Sequence, residues 1–108
     1  MSEYSKEKIS EILKENAAVF LQKESSGKSL ITITRSAVAS NQRSAIIYFS
    51  VLPKSAEEEA LNFTKRKRKE FYEYLKKHTR LRYIPFIDFE IDLGEKNRQR
   101  VDELLRGS

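Results

Sequence analysis

Lys65-Arg66-Lys67-Arg68-Lys69 sets five cations in succession, and the chemistry open to such a run is the neutralisation of phosphate. From Lys65 to Arg82, nine cationic side chains (the run plus Lys76, Lys77, Arg80 and Arg82) meet only Glu70 and Glu73, a net of +7. The whole chain carries +5, so everything else sums to −2. Segregation of this kind concentrates positive potential on one element, the electrostatic footprint of a nucleic-acid binder. The plain alternative is a solvated helix face balanced by Glu57, Glu58 and Glu59 or by Glu70 and Glu73. Pairing at i,i+4 stabilises a helix only weakly, however, and does not account for five consecutive cations. Successive helical positions fan around the axis, so only part of the run can face one duplex; the rest widens the field and speeds encounter.

Lys76, Lys77, Arg80 and Arg82 extend the patch, although Arg82 has an equal structural reading, holding the approach to a strand by pairing with an acid. Arg35 and Arg43 flank the first turn and could reach phosphate from the sheet edge; isolated surface arginines are also common. Tyr72 and Tyr74 stand beside the cations, where aromatics stack on unpaired bases in single-strand readers, or else simply cover the sheet. The sole histidine, His78, lies at a helix end and reads as structural. Asp88, Glu90 and Asp92 alternate along one face, which reads as strand-surface solvation rather than a hard-cation site, and as a side turned away from RNA. Lys28 after Gly27 is not part of a phosphate-loop pattern, so no nucleotide site follows. With one His and no Cys, no nucleophile, base and orienter can be assembled; no catalytic residue, metal site or cofactor is expected.

These residues need a scaffold, and 108 residues suffice for one domain, residues 1–108 with a core over about 5–105. Apolar residues make up 39% and charged ones 34%, but the apolar ones are clustered and periodic, which argues for a folded chain. The absence of Cys excludes a disulfide framework and a thiolate zinc site and suits a reducing cytoplasm. The first twenty residues contain no long apolar stretch, so no signal peptide or membrane span is expected. Binding to an anionic membrane surface is the weaker reading of the charge, since the basic run lacks an apolar face opposite its cations.

Ile9, Ile12, Leu13, Asn16, Ala17, Phe20 and Leu21 follow helical spacing over Ser5 to Lys23. Leu30 to Thr34 alternates as a first strand, Ala39 to Gln42 is turn material, and Ala45 to Leu52 reads as a more buried strand antiparallel to it. Pro53 closes that strand, and Ser55 with Glu58 offers a capping box for a long helix. Ala60, Leu61, Thr64, Phe71, Leu75 and His78 share one face of that helix, but Lys67 and Arg68 interrupt it. Burying unpaired cations costs several kcal/mol, so the helix is expected to bend or divide near Lys67. The second half of Tyr83 to Asp92 alternates as a third strand, with Pro85 near its start or at an edge. Arg100, Val101, Leu104 and Leu105 suggest a closing helix. The predicted order is α-β-β-α(α)-β-α.

That order is similar to type II KH-like domains, and the local sequence resembles the ribosome-binding factor A family. The family's A-x-V-Y-V-S-x-L strand is matched by Ala45-Ile46-Ile47-Tyr48-Phe49-Ser50-Val51-Leu52. Its L-R-x-V-P-x-L-x-F-x-x-D stretch is matched from Leu81 to Asp92, and its R-I-x-x-L-L ending resembles Arg100 to Leu105. Two departures stand out. The family's Ala-x-Gly kink falls on Lys67-Arg68-Lys69, without a small residue. Its D-L-R-x-A becomes Asn41-Gln42-Arg43-Ser44-Ala45, which keeps the arginine and alanine only.

The resemblance implies an α+β KH-like fold, with a three-stranded sheet packed by helices. It also implies an assembly factor that docks on the small ribosomal subunit and its rRNA, assists late maturation and rRNA processing, and needs no cofactor. From the residues themselves the chain is expected to be cytoplasmic and non-enzymatic and, with no exposed apolar face asking for a partner, a monomer. The RNA-contacting set would be Lys65, Arg66, Lys67, Arg68, Lys69, Lys76, Lys77, Arg80 and Arg82, with Arg35 and Arg43. A general KH-like reader of single-stranded RNA and a basic adaptor for an acidic protein are the rival readings.

Overall fold

The computed structural model describes residues 4–24 and 29–94. Helix α1 (Lys6–Glu24) begins where the Ser5 hydroxyl accepts the Lys8 N–H at 3.1 Å, a side-chain cap for an otherwise unpaired donor. Its Ile9, Leu13, Ala17, Phe20 and Leu21 are buried, as their spacing requires. Asn16, on the same stripe, turns its amide back to the Ile12 carbonyl at 2.8 Å and so meets its own polar demand.

Strand β1 (Leu30–Val38) pairs antiparallel with β2 (Ser44–Leu52), and β2 pairs in parallel with β3 (Phe86–Ile91), giving the order β1-β2-β3. Strand β1 runs four residues beyond the predicted Thr34. A register shift between Ile33 and Arg35 changes the phase of its alternation, which hid the second half of the strand from a period-two reading. On β2, Ala45, Ile47, Phe49 and Val51 are buried while the residues between them are not. Ile87 and Phe89 of β3 join them in one core with the buried face of α1. Pro85, which lacks a ladder donor, sits buried immediately before β3.

The predicted Ser55–Glu58 capping box is not formed. Pro53 feeds a 3-10 turn (Lys54–Ala56), and α2 (Glu57–Arg66) starts from Ala56 with no side-chain cap. The tight turn moves the helix start two residues past Ser55. Glu57, Glu58 and Glu59 occupy the first turn instead, where negative charge is favoured by the helix dipole.

The long helix divides at Lys67, as predicted: α2 ends at Arg66 and α3 (Arg68–His78) follows. Lys67 adopts φ −93° and ψ 4°, negative-φ geometry open to L residues, so the bend requires no glycine. Its N–H still reaches the Phe63 and Thr64 carbonyls at 3.2 and 3.1 Å. The Arg68 Nε donates to the Lys65 carbonyl at 3.2 Å, occupying an acceptor near the end of α2. Phe71 and Leu75 of α3 are fully buried, with the Phe71 ring centroid 5.2 Å from Phe20 and 5.7 Å from Phe89. This α+β arrangement is the type II KH-like order expected. The closing helix predicted over Arg100 to Leu105 lies outside the described residues, as does Lys28.

Candidate nucleic-acid interface

Where α2 passes into α3, beside the first turn and the start of β3, the surface opens into a groove of about 720 Å³. Arg43, Lys65, Arg66, Arg68 and Lys69 line it, together with Tyr72, Glu73, Tyr83, Ile84, Phe86 and Ile87. Five cations thus share one concavity with a single acid.

Local chemistry sets each wall. The division at Lys67 projects the basic run from two helix ends rather than from one straight face. On the opposite side, Gln42 takes φ 61° in the hairpin turn, its N–H bonded to the Ala39 carbonyl at 2.8 Å. The Asn41 carboxamide oxygen accepts the Arg43 N–H at 2.9 Å, and the Arg43 carbonyl accepts the Phe86 N–H at 2.9 Å. Arg43 and Phe86 are therefore tied together at the mouth of the β2–β3 pairing, where Ser44 stands in register with Phe86. Tyr83 and Phe86 are 64% and 66% exposed, and Tyr72 is 41% exposed.

The five-cation run is not electrostatically uniform. Lys65 Nζ donates to Asp88 Oδ1 at 2.8 Å and lies 3.5 Å from Glu90 Oε2; Arg68 Nη1 reaches the same Asp88 oxygen at 3.3 Å. Lys67 pairs with Glu70 at 3.1 Å, its ammonium 5.8 Å from the Phe63 ring centroid. Arg66 and Lys69 are exposed and make no ion pair with a described residue. Partial burial acts to raise the Asp88 carboxyl. The Lys65 hydrogen bond, the Phe89 N–H at 2.9 Å and the charges of Lys65 and Arg68 outweigh it and hold the group below its usual 3.8.

Asp88 and Glu90 were read from the sequence as strand-surface solvation on a side turned away from RNA. The structure corrects this: β3 is an edge strand lying against α2, and its acids meet the basic run. Asp92 accepts a hydrogen bond from the Thr34 hydroxyl.

The other sequence-selected cations lie outside the groove lining. Lys76 and Lys77 are exposed on the last turn of α3, with Lys76 3.8 Å from Glu73, and Arg80 and Arg82 are exposed on the segment leading to β3. Arg35 is placed on β1, its guanidinium 3.9 Å from the Tyr48 ring centroid, and its buried Nε has no hydrogen-bond partner among the described residues. Of the two tyrosines considered for stacking, Tyr72 lines the groove. Tyr74 is packed with Phe20, Phe71 and His78 at 5.3, 6.3 and 4.0 Å between centroids. His78 Nδ1 also lies 3.0 Å from the Tyr74 carbonyl oxygen, which fits its structural reading.

Tyr83 and Phe86 were missed as site residues. The signal available was their aromatic character on either side of Ile84-Pro85, just ahead of a strand whose buried positions are Ile87 and Phe89. Among the described residues no helix is long and apolar enough to cross a membrane, and no group of acids or His is placed to hold a metal ion.

The family model described as ribosome-binding factor A matches residues 2–105 of the chain. A protein described as ribosome-binding factor A from Fervidobacterium nodosum is 35% identical over 79 residues, 72% of this chain and 63% of that relative's length. The match therefore spans less than two thirds of the relative. Among solved structures, the chain is similar to the crystal structure of ribosome-binding factor A from Thermus thermophilus. That match has a TM-score of 0.71 at 21% identity and covers 82% of this chain and 97% of that one. It is also similar to the solution structure of a Thermotoga maritima protein described as a candidate ribosome-binding factor A, with a TM-score of 0.59 at 24% identity, covering 84% and 86%. At these identities the two structures speak for the fold.

Proposed function

The chain belongs to the ribosome-binding factor A family, and from that premise we propose that it binds the small ribosomal subunit through 16S rRNA and assists late subunit maturation and rRNA processing. The observation that supports this reading is the cation-lined groove at the α2–α3 division. Arg66 and Lys69, together with Arg43 across the groove, neutralise phosphates and release their counterions. Lys65 and Arg68, shared with Asp88, supply field rather than free contacts. Lys76, Lys77, Arg80 and Arg82 broaden the basic surface that steers encounter. The protein acts as a single cytoplasmic KH-like domain, as a monomer, by binding rather than by turnover.

The test is co-sedimentation with purified small subunits across a salt series, comparing the native chain with an Arg66→Glu/Lys69→Glu variant. Native binding that weakens steeply with salt, and is lost in the variant, is the expected result. Equal binding by both would remove the groove from the contact; binding by neither would remove the ribosomal reading.

A further inference from the structure

Phosphate neutralisation accounts for the cations of the groove but leaves its aromatic rings without a task. Large apolar rings are ordinarily buried or gathered at contact surfaces. Here Tyr72, Tyr83 and Phe86 come from two separate parts of the chain and converge on one concavity, and Tyr83 and Phe86 keep most of their surface in solvent. Tyr74, two residues from Tyr72, shows the contrast, since its ring is packed against Phe20 and His78.

The platform is also stiffly mounted. Phe86 is the first residue of β3, follows a buried proline and is bonded through its N–H to the Arg43 carbonyl. Half-buried Ile84 and buried Ile87 form an apolar floor. The groove's size falls within the roughly 300–1,000 Å³ of pockets that enclose small ligands.

We infer that this groove holds an unpaired nucleobase of the bound RNA against the rings of Tyr72, Tyr83 and Phe86, while Arg43, Arg66 and Lys69 take the flanking phosphates. The inference rests on the RNA-binding reading above and adds strandedness to it. A duplex keeps its base faces stacked inside and offers these rings nothing, whereas every unpaired base presents a π-face. An apolar peptide would use the rings but leave Arg43, Arg66 and Lys69 uncompensated; an RNA single strand uses both.

The test compares binding to a single-stranded RNA of about ten nucleotides with a central 2-aminopurine, to the same strand annealed to its complement, and to purified small subunits. The variants are Tyr83→Ala, Phe86→Ala and Tyr83→Phe; both positions are exposed, and unchanged melting curves will show that the fold is kept. Single-strand binding should quench the 2-aminopurine. Each alanine variant should weaken it by about 5-fold or more, the lower end of stacking on one ring. Tyr83→Phe should bind as the native chain does, and duplex affinity should be unchanged in all variants. An unquenched probe, equal loss for single strand and duplex, or alanine variants that bind as tightly as the native chain would overturn the base site, even if subunit binding persists. A native chain that binds no RNA in any form would overturn this inference together with the reading beneath it.

Discussion

The uneven commitment of the cations makes a quantitative prediction about salt. Lys65 and Arg68 share Asp88, and Lys67 pairs with Glu70, whereas Arg43, Arg66 and Lys69 are exposed and make no ion pair with a described residue. On the proposed reading, these three cations would neutralise three phosphates in the groove. With each contact contributing about 0.7 to 0.9 to the slope of log affinity against log salt, the native slope is about −2 to −3. Between about 50 and 200 mM salt this is a loss of roughly 20- to 40-fold. Arg66→Gln with Lys69→Gln leaves one contact, a slope of about −0.7 to −0.9 and a loss of only about threefold over the same range. Lys65→Gln should instead leave the slope near the native value and lower stability by about 0.5 to 1 kcal/mol, because it removes a half-exposed ion pair and not a phosphate ligand. Fluorescence anisotropy of labelled RNA across the salt series measures the slopes, and urea unfolding measures the stability. A double variant whose slope matches the native one, or a Lys65→Gln slope that flattens as much, would refute the assignment of free and committed cations.

Further outcomes follow from the same geometry. Phe71→Ala, at a fully buried ring between Phe20 and Phe89, should cost about 3–5 kcal/mol and lower the urea midpoint at an unchanged slope. Because the fold holds Asp88 below its ordinary 3.8, its stabilisation is complete above the unfolded-chain value and is lost as pH falls through the lower folded value. Asp88→Asn should therefore melt with a flatter pH dependence between about pH 5 and pH 2, read by circular dichroism. Lys67→Gly should destabilise by about 0.5–1 kcal/mol rather than relieve the bend, since Lys67 already sits at a negative φ; a glycine variant more stable than native would contradict this.

Much of the scaffold was legible in the chain because its signals are local. The three-and-four spacing from Ile9 to Leu21 has only one apolar face to bury, and the alternation from Ala45 to Leu52 only one core side. The division at Lys67 was legible for a related reason: cations on an otherwise apolar stripe cannot be docked without partners. The features that escaped depend on neighbours. The shift between Ile33 and Arg35 exists only against β2, and the Ser55 cap gave way to a 3-10 turn after Pro53.

The composition and order of residues determined the elements, the family resemblance and the segregation of positive charge toward Lys65 to Arg82. Tertiary structure decided which of those cations are free to act. The parallel pairing of β3 with β2 carries Asp88 to Arg68 across 20 residues of chain and to Lys65 across 23, and brings Glu90 to Lys65 as well. The same register sets Phe86 beside Arg43, opposite the divided helix. Charge pairing and groove lining act through space over a few ångströms, while periodicity acts along the chain, so the chain alone could mark the basic run but not its partners or the aromatic wall facing it.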